Sequence, residues 1–487
     1  MTTDIPFPEQ PRDDRHLIFG LLSLSLLTFI MQFGMVSVAL GQLTDDLAAP
    51  LRWSGWVLTI FMVGQVIAMP VAGRLAERFG ARLVFSGGLA IFAAASLVCA
   101  LAPNVYVLIA ARIAQGAAGG GLMPAGVSLI GEAYGVGRPR AIGFFSSLIP
   151  FGAVLGPVVG GVIVDEVGWR WTFGLSVPMG LAGCVAGFAL LPVGHRRPLQ
   201  RIDVLGVVLI ALTVIALVVA LTELGRRDAT PDYRLISAAA GVFVISLVIL
   251  VLHEVRTPAP VVDLDLLRRW EFASSNALAF CFGIAWIGVT SLIPLFAQSV
   301  YEMSAGESGA LIGPRSAVMV VASGFATWAL PRTGLRKPLA FGLVGSALMI
   351  GLLGRGLHDP EILGLTISSF WWSLVVIGAA GAFFGLANPS MNNAALELAP
   401  DRIAAITGLR GMFSSLGGAI GIAIGVLIAS RASDTGAGLQ LAFMVFAVVL
   451  AASALFVLGV PEMGSAQRSP TPDGEAVEPV VAQGRVA

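Results

Sequence analysis

The sequence predicts an all-α integral membrane protein with fourteen transmembrane helices, and three observations predict it. Of 487 residues, 56% are hydrophobic and only 12% charged, against roughly 25% charged in a soluble domain. So little charge cannot cover a water-facing surface of this size, whereas a bilayer solvates apolar side chains directly. The 59 glycines suit the same environment, because small residues let membrane helices approach closely. Finally, apolar runs of about 20 residues, enough to cross the hydrocarbon core, recur along nearly the whole chain.

These runs fall at 17–41, 53–72, 83–102, 105–128, 141–163, 171–192, 204–222, 235–252, 273–297, 308–330, 338–354, 366–396, 403–430 and 438–460. The twelfth is over-long, with a break expected near Pro389. Residues 1–15 are polar and acidic, and the first run is too long for the apolar core of a signal peptide, so it reads as a retained span. The tail from Pro461 to Ala487, rich in Pro, Gly, Ser and Glu, reads as disordered. A formal net charge of zero argues against nucleic acid as a partner. Cys99, Cys184 and Cys281 lie inside apolar runs and read as small hydrophobes, not as a disulfide framework or metal site. No cofactor or metal is expected.

Charge bias sets the expected orientation. With the N-terminus in the cytoplasm, the inner segments hold seventeen basic residues before the tail, among them Arg74, Arg78, Arg82, Arg138 and Arg140, and the outer loops hold seven. Both termini are therefore expected on the cytoplasmic side of the cell membrane.

The stretch Gly73–Leu83 after span 2 is echoed by Ala329–Leu339 after span 10, with Arg78, Gly80 and Arg82 falling on Arg332, Gly334 and Arg336. Eight spans separate the two, so the simplest account is two six-helix halves with two extra spans between them. That divides the chain into an N-terminal segment 1–15, a first half 16–195, two linker spans 196–256, a second half 257–460 and a tail 461–487. Parallel halves of this kind are a transporter architecture, with the substrate site between them.

Gly73–Leu83, GRLAERFGARL, resembles the loop 2–3 signature of the major facilitator superfamily. Arg112-Ile-Ala-Gln-Gly116 resembles that family's fourth-span pattern, and Gly152-Ala-Val-Leu-Gly-Pro-Val-Val-Gly-Gly161 its fifth-span antiporter pattern. Trp169–Phe173 followed by Val177–Gly180, together with fourteen spans, resembles the drug:proton antiporter branch. The resemblance covers residues 16 to 460. It implies the major facilitator fold and a monomeric, proton-coupled exporter of small molecules, not an enzyme.

Each motif also has a physical reading. In the 73–83 stretch, Gly73 and Gly80 permit tight turns. Glu77 can pair with Arg74, Arg78 or Arg82, or with a helix N-terminus, as a cytoplasmic gate; a solvated charged loop is the plainer alternative. Gly152, Gly156 and Gly160 share one face of a helix at i, i+4, i+8, where another helix can pack closely. Pro157 within that motif removes a backbone hydrogen bond, and Gly161 completes it.

A basic side chain at mid-membrane costs roughly 2.5–3.5 kcal/mol on insertion scales and usually faces the bundle interior. Arg112, Arg315 and Arg410 are such residues. The resemblance gives Arg112 a role in proton relay or in shaping the cavity; pairing with backbone carbonyls is the structural alternative. No Asp, Glu or His lies in the middle of any span, and Gln32 stands where the drug:proton branch often has an acid. The expected cavity set is Gln32, Gln65, Arg112, Gln115, Gln298, Arg315, Asn388, Asn392 and Arg410, any of whose neutral members can instead be glue between helices. This balance favours neutral or anionic amphipathic substrates. If protons are coupled, an acid at a span boundary must serve, with Glu132 and Glu397 foremost.

The expected function is therefore export of small amphipathic compounds, drugs or antibiotics, by alternating access. Two rivals remain: an exporter or exchanger of an endogenous metabolite or organic anion, and a non-transporting membrane receptor with the same fold. An ATPase is not expected, since no G-x-x-x-x-G-K-[ST] occurs.

Overall fold

A computed structural model describes residues 14–134, 138–192, 203–226, 230–257, 267–362, 364–396 and 403–460. The segments 1–13 and 461–487, and with them the tail expected to be disordered, lie outside it.

Fourteen long helices follow one another in the described residues. In the first half they are α1 (Arg15–Asp46), α2 (Trp56–Phe79), α3 (Ala81–Ala100), α4 (Val105–Tyr134), α5 (Arg138–Val167) and α6 (Arg170–Leu190). Next come α7 (Val204–Leu224) and α8 (Tyr233–Arg256). The second half holds α9 (Trp270–Tyr301), α10 (Ala305–Leu330), α11 (Arg336–Leu353), α12 (Ser369–Leu396), α13 (Ile403–Arg431) and α14 (Thr435–Gly459). Thirteen spans are long and apolar enough to cross a membrane, and α5, 30 residues long, is the fourteenth helix. A two-stranded antiparallel hairpin, β1 (Glu361–Ile362) and β2 (Leu365–Thr366), with Glu361 opposite Thr366, decorates the loop between α11 and α12.

The two halves repeat one packing scheme. In the first, α1 packs on α5, α2 on α4, and α3 on α6. In the second, α9 packs on α13, α10 on α12, and α11 on α14. The turn glycines of the sequence repeat match as well: Gly80 has φ +92° and Gly334 φ +70°, values that favour a residue without Cβ. The turn is confined to these glycines. Gly73 to Phe79, read from sequence as loop, continues α2.

The expected break at Pro389 does not occur; α12 runs unbroken through it. Close packing on α10 and α11 supports α12 there, and neighbouring helices let membrane helices tolerate proline. The irregularity lies in α9 instead, where Gly283–Ile287 forms a π-helical turn.

The halves meet where α5 packs on α10, α2 on α13, and α1 on the last part of α9. Helix α7 packs on α8 and reaches both α2 and α13, so it lies across one of these seams. The end of the bundle opposite the start of α1 is called distal below.

Candidate functional site at the seam between the halves

Arg112 is fully buried in α4. Its Nε donates to the Val57 carbonyl of α2 at 2.8 Å and its Nη1 to Gln115 Oε1 at 2.5 Å. Gln115 Nε2 donates to Ser96 Oγ of α3 at 2.7 Å, and Ser96 donates on to the Phe92 carbonyl. The guanidinium lies 4.0 Å from the centroid of the Phe61 ring, a cation–π contact worth about 0.5–2 kcal/mol. Three helices of the first half are thus tied through one cation. The close approach of α4 to α2 has a simple cause, since a Cβ on Gly116 would lie 2.1 Å from the Phe61 carbonyl.

The second half carries its own cation. Arg315 of α10 is buried, donates from Nη1 to Thr290 Oγ1 at 2.9 Å, and lies 4.0 Å from the Trp286 ring centroid. Trp286 belongs to the π turn of α9 and stacks on Phe384 of α12. The register that maps Gly80 onto Gly334 also maps Phe61 onto Arg315. Consistent with this, Gly381 of α12 sits against the Arg315 carbonyl as Gly116 sits against that of Phe61. Among the described residues no carboxylate forms an ion pair with Arg112, Arg315 or Arg410. Arg112 Nη2, Arg315 Nε and Arg410 Nη1 are buried with no hydrogen-bond partner.

The other polar residues of the sequence-predicted cavity are dispersed. Gln32 is fully buried and accepts from Ser176 of α6, so it faces the interior of the first half. Gln298 Nε2 donates across the seam to the Val38 carbonyl at 3.1 Å and to Ser308 at 3.0 Å. Asn392 donates to Asn388 at 2.8 Å within α12. Gln65 and Arg410 are partly exposed on α2 and α13, which face each other. Sequence reasoning did not single out Ser96, Ser176, Thr290 or Trp286. A lone serine or threonine in an apolar run carries no signal of its partner, and nothing in Gly283–Ile287 announces a π turn.

The fifth-span glycines do form one face, and it packs inside the first half. Cβ atoms on Gly152, Gly156 and Gly160 would lie 2.8, 2.5 and 2.5 Å from Ile30, the Met31 carbonyl and Met35 Cα of α1. The seam is met by the rest of the motif. A Cβ on Gly161 would lie 2.6 Å from the Ala305 carbonyl, and one on Gly309 would lie 2.3 Å from the Pro157 carbonyl. Beside them the Gly306 N–H donates to Asp165 Oδ2 at 2.7 Å. All these contacts lie at the distal end, next to a cleft of about 560 Å³ lined by Gln42, Asp45, Asp165, Gln298 and Ser299.

At the opposite end, Arg78 is exposed over the Phe79 ring, and Arg82 donates to the Phe188 carbonyl at the end of α6. Arg336, its counterpart, donates to the Val460 carbonyl just after α14 at 2.8 Å. The side chain of Glu77 lies outside the described structure, as does Glu397. Glu132 is half-buried near the end of α4.

The profile of the Major Facilitator Superfamily matches residues 22–356. Multidrug transporter protein MdtP of Bacillus subtilis is 26% identical over 432 residues, 88% of this chain and 77% of that protein. The tetracenomycin C resistance and export protein of Streptomyces glaucescens is 29% identical over 403 residues, 82% and 73% of the two chains. Among solved structures, a POT family transporter in complex with a thioalcohol-conjugated peptide aligns with a TM-score of 0.68 at 15% identity, over 90% of this chain and 95% of that one. A bacterial homolog of the human lysosomal transporter Spinster, in an inward-facing, unoccupied conformation, aligns with a TM-score of 0.63 at 15% identity, over 93% and 98%. At these identities the structural likenesses speak for the fold, and the family profile for membership. Fourteen long helices, two halves built alike and a profile covering most of the chain lead to one conclusion: this multi-pass membrane protein belongs to the major facilitator superfamily and is a transporter of small molecules rather than an enzyme.

Proposed function

We propose that the chain exports small amphipathic compounds from the cell by alternating access, as a proton-driven antiporter. The observation that carries this reading is the distal seal between the halves. There the antiporter motif of α5 meets the start of α10 backbone to backbone, through Gly161, Pro157 and Gly309. Where main chain meets glycine there are few interdigitated side chains to disentangle, so two rigid halves can part along that contact. The names of the relatives, a multidrug transporter and an antibiotic export protein, support export.

In this reading the chain is a monomer in the cell membrane, with both termini cytoplasmic and the distal end outside. The cytoplasmic gate is formed around Gly73, Glu77, Arg78, Gly80 and Arg82. Gln65, Arg315, Asn388, Asn392 and Arg410 contribute to the cavity, and Glu132 and Glu397 serve proton exchange on the cytoplasmic side. The substrate class follows from charge. Two buried guanidiniums without carboxylate partners among the described residues make the interior favourable for neutral and anionic amphiphiles and hostile to dications.

A second reading has a specific observation behind it. The same uncompensated arginines suit the exchange of an endogenous organic anion. Drug accumulation in an efflux-deficient host, with and without the gene, tests export, and substrate efflux from proteoliposomes under an imposed pH gradient tests coupling. Unchanged accumulation across a broad panel overturns drug export, and a rate indifferent to the gradient overturns proton drive.

A further inference from the structure

We infer that Asp165 is a positioning residue for transport: its carboxylate, bonded to the Gly306 N–H, holds the distal gate shut. This rests on the reading that the halves part at that end. Asp165 is exposed near the end of α5, four residues past the last glycine of the antiporter motif, and it bonds across the seam at 2.7 Å. Gly306 opens α10, the helix of the second half against which α5 packs. The bond therefore links the two bodies that must separate.

Its surroundings make this a latch rather than a general surface contact. The neighbouring cross-seam contacts, Gly161 on Ala305 and Gly309 on Pro157, are between neutral groups in van der Waals contact, which resist separation weakly one by one. A hydrogen bond to an ionised acceptor is roughly twice as strong as one between neutral groups. Two other acids nearby are engaged within their own halves. Asp46 accepts from Trp169 Nε1 at 2.9 Å and faces Arg170 at 3.7 Å. Glu307 accepts from the Ser304 N–H at 2.9 Å in a capping box. Among the described residues Asp165 is the carboxylate that reaches over, and it does so at the rim of the 560 Å³ cleft, where water competes for it. An exposed charge-assisted bond of this kind is strong enough to bias a two-state gate and weak enough to be broken in each cycle.

The test is pairwise spin-label distance measurement on the full chain in lipid nanodiscs, with Cys99, Cys184 and Cys281 replaced by alanine. Labels at Tyr106 and Leu365, both exposed at the distal end of opposite halves, report that gate. Labels at Leu83 and Phe341, exposed near the other end, report its counterpart. Asp165→Asn keeps the shape and removes the charge. The expected result is a roughly five- to tenfold shift of the closed-to-open ratio toward longer distal distances, with a matching shortening at the other end, and recovery in Asp165→Glu. A merely structural role would loosen the distal end and leave the other unmoved, which overturns the inference; so do wild-type distributions in both Asp165→Asn and Asp165→Ala. Whether the chain exports compounds is decided separately by the accumulation assay, so a failed latch leaves the export reading standing.

Discussion

Arg82 and Arg336 make the same contact in opposite halves: each donates to a backbone carbonyl at the end of the last helix of its half, Phe188 for Arg82 and Val460 for Arg336. Each pins the start of its half's third helix to the end of its sixth. A motif residue usually viewed as part of a gate thus also closes the fold of its own half. Arg336→Ala should destabilise the protein by about 1.5–3 kcal/mol, the worth of a hydrogen bond to a charged group. Thermal unfolding in detergent measures it, and Arg336→Lys should restore part of the loss.

Arg112→Ala leaves Gln115 Oε1 without its donor in an apolar interior, at about 1–3 kcal/mol, while the Val57 carbonyl keeps its place in the α2 ladder. Arg112→Lys keeps the charge but cannot reproduce the guanidinium fork. Export of any transported compound should fall steeply in Arg112→Ala and less in Arg112→Lys, with expression and thermal stability followed in parallel.

If Arg315 sets the charge preference of the cavity, neutralising it should change discrimination more than overall rate. In proteoliposomes, Arg315→Gln should slow efflux of 9-anthracenecarboxylate about tenfold relative to wild type and of neutral 9-anthracenemethanol by less than about twofold. Equal losses for both would assign Arg315 to structure.

The α1–α5 contact leaves no room for a side chain. A methyl group at Gly156 would lie 2.5 Å from the Met31 carbonyl, and backbone cannot yield as a flexible side chain does. Gly156→Ala should cost about 1–3 kcal/mol by overpacking, read as a lower unfolding temperature, with a larger loss for Gly156→Val.

The span count, the repeat and the ordered motifs were legible in the sequence because each depends on local composition. Hydropathy finds spans, and Gly80 and Gly334 mark turns wherever they fall. Facing was not legible. Gln32 was assigned to the cavity and points at Ser176 inside the first half. The Gly152–Gly160 face was expected to meet a closely packed helix, but that the helix is α1 could not be read. Both depend on how a helix is rotated against its neighbours, and helices that are apolar all round give no periodicity to reveal it. The partner of Arg315 was hidden for a different reason: a π turn shifts the side chains after it, so Trp286 cannot be placed by counting.

Helix α7 gives the molecule a handed flank. Trp56 Nε1 of α2 donates to Thr222 at 2.6 Å, and Arg431 Nε of α13 donates to the Leu224 carbonyl at 2.5 Å. One added helix is therefore tied to both halves along the α2–α13 edge, and its partner α8 lies outside it. The α5–α10 edge has no such strap from α7 or α8 among the described residues. The two halves are bound like the covers of a book, with a spine on one side and a fore-edge on the other. An oily solute already dissolved in the membrane meets a doubled wall at the spine, whereas at the fore-edge it meets only the line where two glycine-bearing helices, α5 and α10, touch.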